Sequence, residues 1–469
     1  MIDDAVNKSA VLTTTSHLLE QTPRRRKITD PLVGLGSLLL RRAVRIEQKT
    51  MAAEPSQSDR KSYIPRDMVL SLFQAEHEEH LDRDRPQQVT TAAERQPMAT
   101  RSVEPFSEGY GIDSGFVIGF LKSLPKHLVQ RVLFRLPPGQ PREHPLAADA
   151  RIVVVGDWGT GEGLAIEVAD RMREVIADAG AREVHVVHLG DVYYAGTRME
   201  ARARFLDHWP VSESDRHRSW CLNGNHDMYS AGEGLTQVIL TDSRFAAQRT
   251  TRGAVTSEFL LANRHWSLVG VDTSWKFRWR DLRGGAGYLS RRQTRWLSRH
   301  VQVDPARRTV LFSHHQPFTY GDDGIEPRGN LLDRTRPLRE AGRIAGWFWG
   351  HEHKLIAYGA HADIGYATCM GHGAILEAPA QRPHPGEFDA QFTDPEGVRW
   401  RMPGFAVLDL DGPTMRVCYL DKTGQRWRPR DALPASSQRP ESADPRPTVG
   451  DHVIPLGCDQ VIPRGPGPW

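Results

Sequence analysis

Five short apolar runs in the middle of this chain each end in residues that can hold cations. RIVVV runs into Gly156-Asp157-Trp158-Gly159, HVVHL into Gly190-Asp191-Val192-Tyr193-Tyr194, and WCLN into Gly224-Asn225-His226-Asp227. TVLF is followed by Ser313-His314-His315, and AGWFW by Gly350-His351-Glu352-His353. Carboxylate, phenol, amide and imidazole are all metal-donor types. Taken singly, each cluster is ambiguous. Gly-Asp after a strand is usually a turn, and Asn-His-Asp often caps a loop. Paired and alternate histidines suit a metal better, and five such clusters in order point to one cation-binding crevice.

The elements that must position them follow from the runs themselves. Short β-branched or apolar stretches recur between 151 and 420, including also EFLL, WSLVGV, AVLDL and RVCYL, with helical patterns between several of them, as at 164–179 and 289–301. That alternation predicts an α/β domain with buried strands. In open α/β sheets the loops beyond the strands' carboxyl ends line a single crevice, so five such ends would converge. Glycine precedes the ligand residue in four of the five clusters, where the chain must turn sharply as it leaves the sheet. The last two runs, joined by Asp411-Gly412-Pro413, predict a closing hairpin.

The ordered set GD, GDxxY, GNHD, a strand-terminal His and GHxH resembles the calcineurin-like metallophosphoesterases, over about residues 150 to 420. The resemblance implies a four-layer α/β/β/α sandwich, two mixed sheets flanked by helices, over 149–425. Gly159 stands where most members carry the histidine of Asp-x-His. The purple acid phosphatases share that loss and supply a tyrosine three residues after the second-motif aspartate, the position of Tyr194. The match therefore points to the purple-acid-phosphatase-like branch.

By that resemblance Asp157, Tyr194 and His353 hold one metal, Asn225, His314 and His351 hold a second, and Asp191 bridges them. Fe(III) is implied at the first site, with Fe(II), Zn(II) or Mn(II) at the second. His226 is the expected non-metal catalytic group, oriented by Asp227 and acting on the leaving alkoxide or a phosphoryl oxygen. Gap-free alignment of TVLFSHHQPF selects His314 as the ligand, whereas a His-x-Pro anchor selects His315; with His314 as ligand, His315 lines the substrate side as a catalytic residue. The implied activity is that of a metal-dependent phosphoric ester hydrolase (phosphatase or phosphodiesterase) attacking phosphomonoesters or phosphodiesters with a hydroxide shared by two metals. A nuclease or nucleotide phosphodiesterase on the same site, and a non-enzymatic calcineurin-like scaffold, are the alternatives.

Several other features are weaker. Leu289-Ser290-x-x-Gln293-x-x-Trp296-Leu297 resembles the helix before the fourth motif, with a packing role, and His372 in Gly371-His372-Gly373 reads as a turn residue. Basic and aromatic residues alternate from Lys276 to Arg283, a pattern that fits phosphate or nucleic-acid contact as well as a solvated loop. His77-Glu78-Glu79-His80 lacks the i, i+4 histidines of a helical zinc motif.

The chain has 469 residues, 39% hydrophobic, with 61 basic and 58 acidic residues and a net charge of +3. This composition excludes a wholly disordered, collagenous or membrane-embedded protein, and the charge gives no global case for nucleic acid. The four cysteines form no CxxC pair and read as neither a disulfide framework nor a zinc site. Residues 1–148 read as a partly disordered extension with short amphipathic helices. Its apolar stretch from Pro31 to Leu40 follows Arg24 to Lys27, but Asp30 and Pro31 interrupt it, Arg41 and Arg42 follow, and no cleavage site appears. A short amphipathic helix and a cytoplasmic location are therefore expected over export. The segment from Phe116 to Leu136 predicts a helix docked on the catalytic domain, with a peripheral membrane or protein contact as the alternative. No run approaches the roughly 18 apolar residues needed to span a bilayer. Proline recurs from Pro429 to Pro468, predicting an extended, mostly disordered tail over 426–469.

Overall fold

A computed structural model describes residues 30–53, 67–83, 114–213, 218–276, 285–304, 307–321, 324–380, 382–395, 397–427 and 460–461. The runs that carry the donor clusters are strands buried on both faces. Arg151–Val155 and Val184–His188 are wholly buried, which is why their sequences are continuously apolar instead of alternating. They pair in parallel with each other, and Val184–His188 pairs in parallel with Arg218–Cys221. On the other side the expected hairpin, Gly404–Asp411 and Thr414–Asp421, joins Arg151–Val155 antiparallel through Gly404–Asp411. Arg151 sits inside this sheet because Asp409 accepts two hydrogen bonds from its guanidinium at 2.7 and 2.9 Å.

The second sheet runs, in spatial order, Glu143–Pro145, Phe259–Ala262, Trp266–Gly270, Arg308–Ser313, Ile344–Trp349, Ile364–Met370 and Leu355–His361. Trp266–Gly270, Arg308–Ser313 and Ile344–Trp349 are parallel neighbours. Val154, Val187 and Leu408 of the first sheet and Leu268, Phe312 and Phe348 of the second share one core between the sheets. On the outer face of the first sheet, helix Gly163–Ala177 buries Ala165, Val168, Ala169, Met172 and Ile176, one stripe at helical spacing. Helix Arg291–Val303 does the same on the second sheet with Trp296, Leu297 and Val301. Its start is fixed by a capping box in which Ser290 and Gln293 exchange side-chain and backbone hydrogen bonds. The result is the expected α/β/β/α sandwich of two mixed sheets.

The ends depart from expectation. Strand Glu143–Pro145 pairs with Phe259–Ala262, so the sheet begins before residue 149. In the N-terminal region Pro31–Ala53, Met68–Arg83 and Ser114–Leu133 are helices that share a core, including Leu40, Val44, Leu72, Phe73, Phe120 and Leu124. The first is longer than the expected helix over the apolar stretch because Ala43 and Val44 continue the buried stripe past Arg41 and Arg42. In the tail, Gln460–Val461 pairs with Arg416 and Val417 on the edge of the first sheet. Cys418 on that strand is disulfide-bonded, which corrects the reading of the cysteines; Cys221 and Cys369 are free and buried. Most of the proline-rich tail and much of 1–113 lie outside the described residues. No described helix is long and apolar enough to cross a membrane.

Candidate metal centre

All five donor clusters leave the carboxyl ends of parallel strands, three from one sheet and two from the other. The turns are tight. Asp157, Asp191 and His351 have φ of 55°, 75° and 70°, a left-handed conformation that non-glycine residues rarely adopt. Such strain gathers at functional sites, and here it falls on three residues of one cluster. The adjoining glycines are required by contact: a Cβ on Gly224 would lie 2.0 Å from Asp191 Oδ1.

The side chains form two donor sets that share a carboxylate. In the first, the Tyr193 hydroxyl lies 2.9 Å from Asp157 Oδ1, 3.1 Å from Asp191 Oδ2 and 3.1 Å from His353 Nε2. In the second, Asn225 Oδ1 lies 2.8 Å from both His314 Nε2 and His351 Nδ1, which are 3.2 Å apart. His314 Nε2 is also 3.4 Å from Asp191 Oδ2. Among the described residues, ligand atoms of Asp157, Asp191 and His314 lie within 4.8 Å of one another, as do those of His314, His315 and His351.

Supporting groups fix how these donors face. The Leu189 carbonyl, 3.1 Å from His314 Nδ1, can only accept, so that nitrogen carries the proton and Nε2 presents its lone pair to the centre. Glu377 stands 3.4 Å from His353 Nδ1. The Asn225 amide nitrogen donates to the Tyr229 hydroxyl at 3.1 Å, which turns Oδ1 inward.

The residues fit a cation pair on electrostatic grounds. Asp157 and Asp191 are 0% and 1% exposed, and no described lysine or arginine pairs with either. Burial raises the Asp157 carboxyl to about 6 and pushes Asp191 well above the usual carboxylate range, with Asp157 and Asp227 adding repulsion. Burial likewise holds His314 well below its ordinary value, with His315 and His351 beside it opposing a proton. Buried carboxylates facing neutral imidazoles are compensated by metal ions.

Two expectations change here. The phenol that enters the cluster is that of Tyr193, not Tyr194. The buried Glu200 carboxylate accepts hydrogen bonds from the backbone amides of Tyr194, Ala195 and Thr197, turning the chain outward after Tyr193. The Tyr194 ring instead packs under the Arg204 guanidinium, 4.8 Å away. Asp227 does not orient His226 in the expected way. Its carboxylate accepts the amides of Asp191 at 3.0 Å, Val192 at 3.2 Å and Gly224 at 2.7 Å, tying two ligand loops together. The Tyr194 carbonyl, 2.6 Å away, takes the proton of His226 Nδ1.

His315 is buried next to His351, its Nδ1 facing the hydroxyls of Thr273 at 3.1 Å and Ser274 at 3.3 Å. That loop is anchored from below by Asp272, a buried carboxylate accepting from Asn223, Ser257 and the amides of Ser274 and Trp275. His372 is buried in its turn, where Gly404 donates to its carbonyl. Lys276 stands over the Tyr288 ring, while the rest of the basic stretch lies outside the described residues. Sequence reading missed Asp272, Glu200 and Tyr229. Asp272 ends the run WSLVGV just as Asp157 ends RIVVV, and Thr197-x-x-Glu200 is a capping-box signature, so both left a signal.

The helical unit reaches this site. Arg131, on helix Ser114–Leu133, donates to the carbonyls of Trp275 at 2.9 Å and Ser274 at 2.7 Å, behind His315. Arg131→Ala is therefore expected to lower kcat/KM for a phosphoester on the order of tenfold, equivalent to about 1.4 kcal/mol, with metal content intact and partial recovery in Arg131→Lys. Steady-state kinetics with metal analysis checks this; unchanged kcat/KM would remove Arg131 from a positioning role.

The family model described as calcineurin-like phosphoesterase matches residues 150–355. A curated relative, purple acid phosphatase 7 of Arabidopsis thaliana, is 21% identical over 288 residues, covering 58% of this chain and 82% of that protein. Among solved structures, the chain is similar to GAP50, the anchor in the inner membrane complex of Plasmodium, at 14% identity and a TM-score of 0.42, covering 59% of this chain and 86% of that one. A dimetal phosphatase from Danio rerio matches at 16% identity and a TM-score of 0.41, covering 58% of this chain and 96% of that one. The family match spans all five donor clusters, so residues 150–355 carry a calcineurin-like phosphoesterase domain as that model describes it.

Proposed function

We propose that this chain is a binuclear-metal phosphoesterase of the purple acid phosphatase type. Asp157, Tyr193 and His353 hold one ion, Asn225, His314 and His351 hold the other, and Asp191 serves both. The single observation behind this reading is the position of Asp191 Oδ2, 3.1 Å from the phenol of one donor set and 3.4 Å from an imidazole of the other. When bound, the two ions supply a nucleophile at neutral pH and neutralise charge on the phosphoryl oxygens. A phenolate is a hard, anionic donor, which favours a trivalent ion at the first position; Fe(III) there with Fe(II), Zn(II) or Mn(II) at the second is the proposed pair.

The chain's own residues do the rest. With Nδ1 protonated toward the Tyr194 carbonyl, His226 exchanges protons at Nε2, giving one to the leaving alkoxide. His315, held by Thr273 and Ser274, lines the substrate side. Asp227 acts through the backbone, keeping the loops of Asp191 and Asn225 at a fixed separation. Every donor position is filled, which favours an enzyme over a scaffold.

Stripping the metals is expected to abolish hydrolysis of nitrophenyl phosphate, and restoring about two ions per chain should recover it. Full activity in the stripped protein would overturn the reading. Parallel rates on nitrophenyl phosphate and bis-nitrophenyl phosphate decide between phosphomonoesterase and phosphodiesterase.

A further inference from the structure

The N-terminal helical unit has two unlike sides. Residues Met68 to Ala75 of its middle helix are buried at every position, and the shared core also takes in Ala195 and Tyr229 from the loops around the metal centre. That side belongs to the phosphoesterase domain. The outer two helices carry a second apolar face. On Pro31–Ala53, Leu32, Leu35 and Leu38 are 50%, 47% and 52% exposed, opposite the buried Val33, Ser37, Leu40 and Val44. On Ser114–Leu133, Ile118, Val129 and Leu133 are 39%, 56% and 65% exposed.

The two helices touch where Gly36 meets the Leu121 backbone, so closely that a Cβ on Gly36 would lie 2.3 Å from the carbonyl oxygen. Lys122 and Asp30 approach to 3.7 Å, a second contact between the two helices, within about one turn of Leu32 on one and of Ile118 on the other. Contiguous exposed apolar side chains of this kind mark interaction sites. Cations border them: Arg42, Arg45, Lys122 and Lys126 are all exposed on the same helices.

We propose that this face docks on a membrane surface of anionic lipid, leucine, isoleucine and valine side chains entering the acyl boundary and Arg42, Arg45, Lys122 and Lys126 meeting the phosphate headgroups. Apolar residues with lysine and arginine at the flanks are the composition of helices that lie in the interface plane. Neither helix is long and apolar enough to span a bilayer, so the contact is peripheral. A second copy of the chain is the poorer partner, because a two-fold interface on this face would set the same cations against each other. The inference stands independently of the proposed reaction.

The test is co-sedimentation of the full chain with vesicles of phosphatidylcholine alone or mixed with phosphatidylglycerol. Binding should be about tenfold stronger to the mixed vesicles and weaken in high salt. Leu35→Ser with Leu38→Ser, and separately Arg42→Glu with Arg45→Glu, should each reduce it about tenfold, while melting temperature and hydrolysis stay unchanged. Equal retention on both vesicle types would overturn the proposal. So would a dimer in sedimentation that the leucine variant dissociates, with no vesicle binding by the unaltered protein.

Discussion

Asp191→Ala is expected to lose both metal ions together and to drop hydrolysis on the order of a thousandfold or more, because in the proposed centre a single carboxylate serves both positions. Asp227, a second buried carboxylate beside it, is held by backbone amides of Val192 and Gly224. Gly190 with φ of 107° and Asp191 with φ of 75° bring the carboxylate into the centre, and Gly224 leaves the space it fills. Asp191→Asn gives the more discriminating result. The amide keeps the shape and can still accept from the His226 amide, 2.9 Å away in the native chain, but it removes the charge that holds two cations. Asp157, Asp191 and Asp227 are all buried and repel one another without metal, so the metal-free Asp191→Asn protein is expected to melt no lower than the metal-free native chain. Function here is held against stability. Metal analysis, turnover and melting curves together check the role. Two ions retained with substantial turnover in Asp191→Ala would contradict the bridging assignment.

How much of this was legible in the sequence depended on whether a feature is local. The strands announced themselves because they are short, β-branched and buried on both faces, and the donor clusters stood out because each follows such a run directly. Their convergence then followed from sheet topology. Which of two adjacent tyrosines turns inward was not legible, since composition and spacing admit both. The deciding groups are Glu200, which captures the backbone amides of Tyr194, Ala195 and Thr197, and Arg204, which receives the Tyr194 ring. The role of Asp227 was hidden for the same reason: its partners are backbone amides from another loop, and amides have no sequence signature. The helical unit was only half visible. Met68 to Ala75 has a polar flank on both sides in sequence, and its burial depends on helices that come from well before and well after it.

Tyr193→Phe is expected to remove the visible charge-transfer band of a tyrosinate–Fe(III) pair and to release the ion at the first position, whereas Tyr194→Phe should leave both in place. The geometry sets this contrast. The Tyr193 oxygen is within 3.1 Å of Asp157, Asp191 and His353, one atom from each neighbouring donor. Burial and the two carboxylates push its phenol well above the usual tyrosine range, so it stays protonated unless a highly charged cation replaces the proton. A trivalent ion does that far better than a divalent one, which is why colour and iron content should fall together. Losing one of the four donors at that position, and one of its three anionic ones, should cost hydrolysis on the order of a hundredfold or more. Tyr194 contributes its carbonyl to His226 and its ring to Arg204, and Tyr194→Phe preserves both contacts. The reverse outcome, with the band lost in Tyr194→Phe and kept in Tyr193→Phe, would mean that the Glu200 turn reorganises when metal enters. A colourless native protein fully active with Mn(II) or Zn(II) alone would remove the iron pairing and leave the calcineurin-like domain standing.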